Sequence, residues 1–243
     1  LKRVWGFAAF LYFIGAGNAV AEVVFDGTLK AEMAGVERTG DFTISEADGI
    51  VKGGNLFHSF EAFNVETGES ATFTTENASR IISRVTGNSA SLIDGAISSE
   101  SSYFWFVNPN GVVFGENGKL DMGGLSVISS ADSILFETGN GVERYNVGAS
   151  SPLLSVGDPF GFGFLGEVAP GIGELKFSGE FASKNGNTHV DNLIIIGREI
   201  NLKDADLGRL DEGQFWAVNS TKDIFLDVTR THSLSEYRPK EPF

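Results

Sequence analysis

The sequence contains no cysteine and only three histidines, and both shortages narrow the chemistry that it can support. Without cysteine the chain forms no disulfides, although an exported protein of this length could use them in an oxidising compartment. His58, His189 and His232 lie far apart and do not form the H-E-x-x-H spacing of a zinc site. The G-x-S-x-G turn of serine hydrolases is also missing. We therefore predict that the protein is not an enzyme and holds neither a metal nor another cofactor.

Basic residues are scarce. Lys and Arg total 18 against 32 Asp and Glu, which gives a net charge of −14 and a pI near 4.6. An acidic protein is repelled by nucleic acid and by anionic membrane surfaces, so we expect neither as a partner. The hydrophobic fraction of 42% is sufficient for a sizeable core, and 243 residues suit one large all-β domain or two smaller ones.

The apolar stretch at the N-terminus is short. Lys2 and Arg3 precede the apolar residues 4–14, and small residues follow as far as Ala21. A basic start, a short apolar run and an A-x-A site are the three parts of a secretory signal peptide. A membrane anchor is the alternative, but it needs about 18 or more apolar residues. We predict a signal peptide over residues 1–21 that is cleaved after Ala21.

Helical periodicity is scarce after residue 21, because the chain's 31 glycines interrupt nearly every candidate helix. Short segments with alternating apolar residues recur instead, flanked by Gly, Asn, Asp and Ser, and this pattern is typical of β-strands. Examples are residues 72–74, 112–114, 125–128 and 175–177. The sequence therefore predicts an all-β protein.

Similar strands recur at nearly regular intervals. Alternating apolar pairs begin at Leu175, Ile200 and Ile224, and residues 194–196 and 215–217 repeat at a similar spacing. Recurrence of this kind indicates a solenoid or propeller, whereas the competing β-sandwich has turns without a longer period. We predict a right-handed parallel β-helix, a single-stranded solenoid in which equivalent apolar side chains form columns inside one core.

Composition also changes along the chain. Residues 22–50 have fewer apolar residues and are predicted to form an N-terminal cap over the open edge of the first turn. The rhythm breaks within residues 139–170, which we interpret as loops or a small hairpin excursion. The β-helix domain is predicted to span residues 22–228, and residues 229–243 to form a polar tail.

Several local patterns imitate functional sites. Residues 161–166 match G-x-G-x-x-G, but Ala169, Pro170 and Gly171 follow and open no helix, so we predict a Gly/Phe-rich loop that packs on the core. The acidic residues Asp204, Asp206 and Asp211 lack the spacing of a calcium loop and are predicted to form an exposed turn. Alternation places His58 opposite its neighbouring phenylalanines, so we expect a surface histidine or one that bonds to a turn.

One ordered set of motifs is highly specific. Asn108-Pro109-Asn110-Gly111 is a type I turn sequence, with Asn first, Pro second and Gly fourth. It lies within WFVNPNGVVFG at 105–115, after NLFHSFEAFNV at 55–65, RIISRVTG at 80–87 and LIDGAI at 92–97, and before LDMGG at 120–124. The set resembles the filamentous haemagglutinin N-terminal domain, the two-partner secretion domain of large bacterial exoproteins and adhesins.

The resemblance implies a role in export. In that family the signal peptide takes the chain across the inner membrane, and a dedicated outer-membrane β-barrel transporter recognises the unfolded domain through its periplasmic modules. The domain then folds outside as a β-helix and templates the turns behind it. The protein is therefore expected to be secreted, or to lie on the surface of a Gram-negative-type bacterium, as a monomer. Family members continue into a long adhesive shaft, so adhesion to a host or surface glycan receptor is implied and not encoded here.

The resemblance also assigns residues. Those matching the family's recognition or folding motifs are Asn108, Pro109, Asn110, Gly111, Asn55, His58, Phe60, Phe63 and Asn64. Structural roles in turns and ladders are favoured over direct contact for the asparagines. This chain has one Asn-Pro-Asn sequence, whereas some members have two. Two alternatives stay open: a polysaccharide lyase that uses Asp204, Asp206 and Arg209, and a passive carbohydrate-binding protein.

Overall fold

The computed structural model describes residues 22–166, 168–180, 190–206, 214–219, 224–226 and 239–240. Within these ranges the protein consists of β-strands joined by turns, and its helical segments are two single 3₁₀ turns, Ala31–Met33 and Glu46–Asp48. None of the helices in this part is long and apolar enough to span a membrane. The predicted signal peptide and nearly all of the predicted polar tail lie outside the described residues. The all-β prediction is confirmed.

Parallel strands stack into a β-solenoid of about six turns, here called rungs, and each complete rung follows three faces. Face A supplies one strand to every rung: β5 Asn55–Phe63, β7 Arg80–Val85, β10 Tyr103–Val107, the second part of β12 Lys119–Ser129, β17 Val190–Gly197 and β19 Gln214–Asn219. Face B contains β8 Ser91–Ile93, β11 Gly111–Phe114, β16 Glu174–Glu180 and β18 Glu199–Asp206. Face C contains β3 Asp41–Ile44, β6 Ser70–Phe73, β9 Ala96–Ser99 and the first part of β12.

In-register pairing places equivalent side chains in columns inside the solenoid. Leu56 pairs with Ile81, and Ile81 with Phe104. Because alternate residues of a strand point to opposite sides, every second side chain of each face points inward. These inward side chains form one buried cluster that runs through the stack, here called the interior core. The predicted solenoid is confirmed.

The repeats read from the sequence have three outcomes. Leu175 pairs with Ile200 on neighbouring rungs, as the spacing predicts. Residues 194–196 also lie beside 215–217, although Ile194 pairs with Trp216, one residue later than the sequence comparison suggests. The third repeat is wrong: strand Ile224–Leu226 pairs antiparallel with residues 161–162, outside the solenoid. Alternating apolar residues predict a strand with one buried side, but they do not show which strand it pairs with.

The N-terminal cap is confirmed for most of its predicted length. Strands β1 Val23–Phe25 and β4 Ile50–Lys52 pair antiparallel with β5, and β2 Glu37–Arg38 pairs with β1. These strands cover the outer edge of the first rung on face A. Strand β3 already belongs to the parallel ladder, so the solenoid begins within the segment predicted as cap.

A second, antiparallel sheet lies over face A. Strands β13 Ser133–Thr138, β14 Gly141–Asn146 and β15 Asp158–Gly163 form it, and β20 Ile224–Leu226 and β21 Pro239–Lys240 extend it. Residues 131–164, here called the cover, are inserted between the face A and face B strands of the fourth rung. The predicted excursion is therefore larger than a hairpin and starts before residue 139. Residues 161–163 of the G-x-G-x-x-G match lie in β15, so the predicted loop is partly a strand.

The cover buries the outer side of face A. Phe57, Trp105 and Ile194 point outward from three different rungs and are 0 to 1% exposed, because cover residues such as Phe136 and Phe162 pack on them. We call this second cluster the cover interface. Face A is thus buried on both sides, which explains the continuous apolar runs at residues 104–107 and 193–196.

Candidate functional site

The Asn108-Pro109-Asn110-Gly111 turn forms the corner between faces A and B of the third rung. The Gly111 amide donates to the Asn108 carbonyl at 2.9 Å, which is the hydrogen bond of a β-turn. The Asn108 Oδ1 accepts from the Asn110 amide, also at 2.9 Å, so the side chain closes a second turn inside the first. The turn predicted from these residues is therefore present.

The same turn is bonded to the rung before it. The Asn108 side chain is 0% exposed, and its Nδ2 donates to the Ser89 carbonyl and to Ser91 Oγ at 3.0 Å. The Asn110 Nδ2 donates to the Gly87 carbonyl at 2.7 Å. Both asparagine side chains therefore supply donors that hold the preceding corner in register.

The turn is also bonded to the rung after it. The Asn108 amide donates to the Ser129 carbonyl at 3.0 Å, and the Asn110 carbonyl accepts from the Gly173 amide at 3.2 Å. Gly111 has a φ of +111°, and a Cβ there would collide with the Glu174 carbonyl of the next rung. Glycine is therefore required at this position both by the backbone and by the close stacking.

The earlier motif reaches the same corner. Asn64 follows β5 at the A/B corner of the first rung, and its Oδ1 accepts from the Leu92 amide at 2.9 Å. Strand β8 thus donates to Asn64 on one side and accepts from Asn108 on the other. Two motifs that are distant in sequence meet at the A/B corner of rungs 1–3, which we define as the candidate site.

Asn55 lies at the other end of the first face A strand and does not reach that corner. It is fully buried, and its Nδ2 donates to the carbonyls of Ser155 at 3.1 Å and Gly157 at 2.8 Å. Both acceptors belong to the cover. Its Oδ1 has no hydrogen-bond partner among the described residues. Asn55 therefore ties the first rung to a segment about a hundred residues away in sequence.

His58 is buried in the interior core, which corrects the predicted surface position. It lies opposite Phe57, but it shares a side of β5 with Phe60, whose ring centroid is 6.2 Å away. Its Nε2 is 3.0 Å from the Ser45 carbonyl, so this nitrogen carries the proton, and the predicted bond to a turn is present. Burial lowers the pKa of His58 to about 4, against smaller opposing effects of the Ser45 bond and Asp48. The histidine is neutral at pH 7.

The two motif phenylalanines belong to the interior core near the cap. Phe60 packs on Phe25 of β1 with ring centroids 4.8 Å apart. Phe63 contacts Phe106 at 4.9 Å and Phe73 at 5.8 Å, so it joins the first rung to the third and to face C. Both side chains are at most 1% exposed. Their contacts are those of packing residues.

Arg84 is a central residue whose role the sequence did not reveal. It is 0% exposed, its Nε donates to Ser59 Oγ at 2.7 Å, and its Nη2 donates to Thr28 Oγ1 at 2.7 Å. Its Nη1 donates to the carbonyls of residues 146 and 147 in the cover, at 2.9 and 2.7 Å. Arg84 therefore joins the cap, the first two rungs and the cover. An arginine inside the apolar pattern of 80–87 was the available signal.

Asp26 extends this network into the cap. Its carboxylate accepts from Ser59 at 2.6 Å, from Thr86 at 2.8 Å and from the amide and hydroxyl of Thr28. Burial raises the pKa of Asp26, but these hydrogen bonds outweigh it and hold the pKa below the ordinary value. Shared hydroxyl groups therefore connect the Asp26 carboxylate to the Arg84 guanidinium.

The structure describes only part of the other predicted cluster. Asp204 and Asp206 lie in strand β18 and not in the predicted turn, while Arg209 and Asp211 lie outside the described residues. Across the described ranges, no group of three His, Asp or Glu side chains is placed to hold a metal ion.

A family model described as the TPS secretion domain matches residues 21–236. The chain belongs to this family. No curated protein and no solved structure matches it. The match covers the cap, every described rung and the cover, and membership makes the chain a two-partner secretion domain of the type found in filamentous haemagglutinin-like proteins. In this TPS domain one residue of the earlier motif, Asn64, thus meets the Asn108 turn at one corner of the β-solenoid.

Proposed function

We propose that this TPS domain directs the chain to an outer-membrane transporter, and that export depends on the A/B corner of rungs 1–3. The observation that carries the proposal is the convergence of both sequence motifs on strand β8, through Asn64 and Asn108. Family membership supports export by a two-partner route from a Gram-negative bacterium. The periplasmic modules of the transporter are the proposed partner.

The motif side chains act before and during folding. Asn55, His58 and Asn108 are 0% exposed in the folded domain, so a transporter has no access to them once the rungs have formed. In the unfolded chain the same groups are free to bind. After export they close the corner, and a folded rung cannot slip back through a pore that admits only extended chain. Recognition and folding are therefore successive uses of one set of residues.

Secretion of an Asn108→Ala variant tests this proposal. The full chain is produced together with its transporter in a Gram-negative host, and the amounts in the medium and periplasm are measured over time. Release is expected to fall strongly, while periplasmic chain first persists and then declines. The purified, refolded variant should also lose about 1–3 kcal/mol of unfolding free energy, because buried acceptors lose their donor.

Asn88→Ala is the matched control, because Asn88 lies in the preceding corner with an exposed side chain. It should be secreted and should unfold like the wild type. Asn110→Ala tests whether the motif acts in recognition or in folding, because the hydrogen bond from Asn110 Nδ2 to the Gly87 carbonyl exists only in the folded domain. A loss of stability with a parallel loss of release supports a role in folding outside the cell. Normal secretion of both Asn108→Ala and Asn110→Ala would contradict the proposal.

The proposed route requires removal of the leader after Ala21. The family match begins at residue 21, next to this site, and strand β1 begins at Val23. N-terminal sequencing of the secreted chain should therefore give Glu22 as the first residue. A mature chain that starts inside β1 would contradict the proposed site, because the β1–β5 pairing would then lose residues.

Carbohydrate binding, as part of adhesion, is a second candidate, and one groove favours it. At the corner between faces C and A the connecting loop shortens from residues 74–79 to residues 100–102, and β12 passes through with no loop. This shortening of the loops leaves a groove of about 660 Å³. Hydroxyl and carboxylate side chains form most of its lining, and Thr72, Thr74 and Ser98 are among the hydroxyl groups. Such groups form hydrogen bonds with sugar hydroxyls.

A glycan array with the purified mature chain tests this candidate. The proposal expects retention of at least one surface glycan, and Thr74→Val should weaken it because Thr74 is an exposed wall residue of the groove. Thr43→Val is the matched control, since Thr43 is exposed on face C outside the groove. Retention of no glycan, or equal loss in both variants, would contradict binding at this site.

A further inference from the structure

The cover contacts the solenoid over most of its length. Its contacts begin at Asn55 and Phe57 in the first rung and extend to Ile194, Ile196 and Arg198 in the fifth. Neighbouring strands of a sheet are about 4.8 Å apart, so four steps correspond to about 19 Å along the stack. One inserted segment therefore spans rungs that do not touch each other.

The contacts at the first two rungs are specific and polar. Arg80 forms a 2.7 Å ion pair with Asp158, in addition to the bonds that Asn55 and Arg84 make to cover carbonyls. Phe57 also packs on Tyr145, with ring centroids 5.2 Å apart. These groups lie at one end of the cover interface.

The contacts at the fifth rung form a second clip. Arg198 lies at the A/B corner between β17 and β18, and its guanidinium forms an ion pair with Asp132. Its Nη1 donates to the Ser130 carbonyl at 2.8 Å, and its charge lies 5.1 Å from the centroid of the Phe164 ring. Asp132 in turn accepts from the Leu165 amide at 2.6 Å. Both ends of the cover are therefore fixed by one fifth-rung residue.

In a solenoid each repeat contacts only its neighbours, so stability is a sum of local terms and the ends fray independently. We infer that the cover is a staple that couples the first rung to the fifth. The cap and first two rungs then reach their final stability only when the chain as far as Arg198 is in place. In a domain that leaves the transporter N-terminus first, the cover postpones completion of the motif-bearing rungs until most of the domain has emerged. This consequence for export rests on the proposed function, but the coupling itself does not.

Hydrogen exchange of the refolded mature chain tests the coupling, without any transporter. Arg198→Gln removes the fifth-rung clip, and the staple predicts exchange about tenfold faster for amides of β5 and β7, four and three rungs away. Ile195→Val is the control, since Ile195 lies on the same rung and points into the interior core. Its effect should stay in β17 and the adjacent strands.

Coupling between the first and fifth rungs acts equally in both directions. The same measurement can therefore start from the first rung if Arg198→Gln does not fold. Asn55→Ala releases the first-rung end and should speed exchange in β17 by a similar factor, whereas Leu56→Val, on the inner side of the same strand, should not. Unchanged exchange in the distant rung overturns the staple. An equal effect of Ile195→Val or Leu56→Val on the distant rung also overturns it, because the coupling would then pass through the interior core and not through the cover. Failure of the secretion assays leaves these outcomes unaffected.

Discussion

The interior core and the cover interface bury the same strands of face A on opposite sides, and they are built differently. The interior core consists mainly of apolar side chains that repeat from rung to rung, with aromatic contacts such as Phe63 on Phe106. The cover interface combines an apolar cluster with the buried cation Arg84. Both sides contain three buried polar atoms that lack a partner among the described residues. They are His58 Nδ1, Ser83 Oγ and Ser126 Oγ on the inner side, and Asn55 Oδ1, Trp105 Nε1 and Tyr145 Oη at the cover interface.

This difference shows how the two sides are specified. A column in the interior core is made by residues one rung apart, so each contact is repeated and no single one defines the fold. The cover interface depends on contacts that occur once, between residues up to about a hundred positions apart in sequence. Substitutions on the two sides should therefore differ in what they disrupt.

Phe63→Ala tests the interior core and should have the largest effect. The ring contacts three other phenylalanines at 4.9 to 5.8 Å, and its removal leaves a cavity that the stacked strands cannot fill. Loss of a buried phenylalanine costs about 3–5 kcal/mol. Urea unfolding followed by tryptophan fluorescence measures the change. Val113→Ala, on the outer side of β11, should cost far less, and equal losses would contradict the assignment of the inner side.

Arg84→Met tests the cover interface and is expected to cost about 3 kcal/mol, because several buried acceptors lose a charged donor at once. Methionine keeps part of the apolar volume, so the loss reports mainly the hydrogen bonds to Ser59, Thr28 and the cover. The cover should also become more sensitive to proteolysis than the solenoid. Arg38→Met, at a half-exposed ion pair with Asp48, is the control. Equal losses of stability in Arg84→Met and Arg38→Met would contradict the assignment of Arg84 to the cover interface.

The features that the sequence predicted are those that repeat or are local. The alternation and spacing near Leu175 and Ile200 revealed the solenoid. Asn108 to Gly111 revealed a turn whose bonds all lie within the turn or run to the two neighbouring rungs. His58 was misplaced because a polar residue at an inward position breaks the alternation that identifies the inside. Gly49 leaves room for the imidazole there, because a Cβ at residue 49 would collide with the ring.

The cover could not be predicted in the same way. Its strands have ordinary alternation, and nothing in residues 133–163 indicates that they pack on Phe57 and Trp105. The error at Ile224 has the same origin, because that strand joins the cover sheet and not the next rung. The candidate site was found in part: its asparagines follow from the motifs, but the convergence of Asn64 and Asn108 on β8 appears only when the rungs are stacked.

His58 allows the interior core to be perturbed by pH alone. Its pKa is about 4 when folded and near 6.5 when unfolded, so the unfolded chain binds more protons between these values. The contribution of neutral His58 to the unfolding free energy is fully present above pH 6.5 and is lost as the pH falls. The loss reaches about 3 kcal/mol near pH 4. The unfolding free energy is measured from pH 7.5 to 4.5 for the wild type and for His58→Phe. The unfolding free energy of the wild type minus that of His58→Phe should fall as the pH is lowered. A constant difference would show that the pKa of His58 is the same in the folded and unfolded chain.

Tyr145→Phe is expected to have the smallest effect, and it should raise the unfolding free energy instead of lowering it. The ring is buried between Phe57, at 5.2 Å, and the Arg84 guanidinium, at 5.2 Å, while the hydroxyl has no hydrogen-bond partner among the described residues. Burial holds the pKa of Tyr145 above its ordinary value, so the hydroxyl is neutral. Its removal keeps the packing and spares an unpaired polar group, so the unfolding free energy should rise by up to about 1 kcal/mol. Tyr103→Phe, at a half-buried ring beside Arg80, should show no gain. A loss of stability in Tyr145→Phe would mean that the hydroxyl has a hydrogen-bond partner in solution, and the expected gain would be refuted.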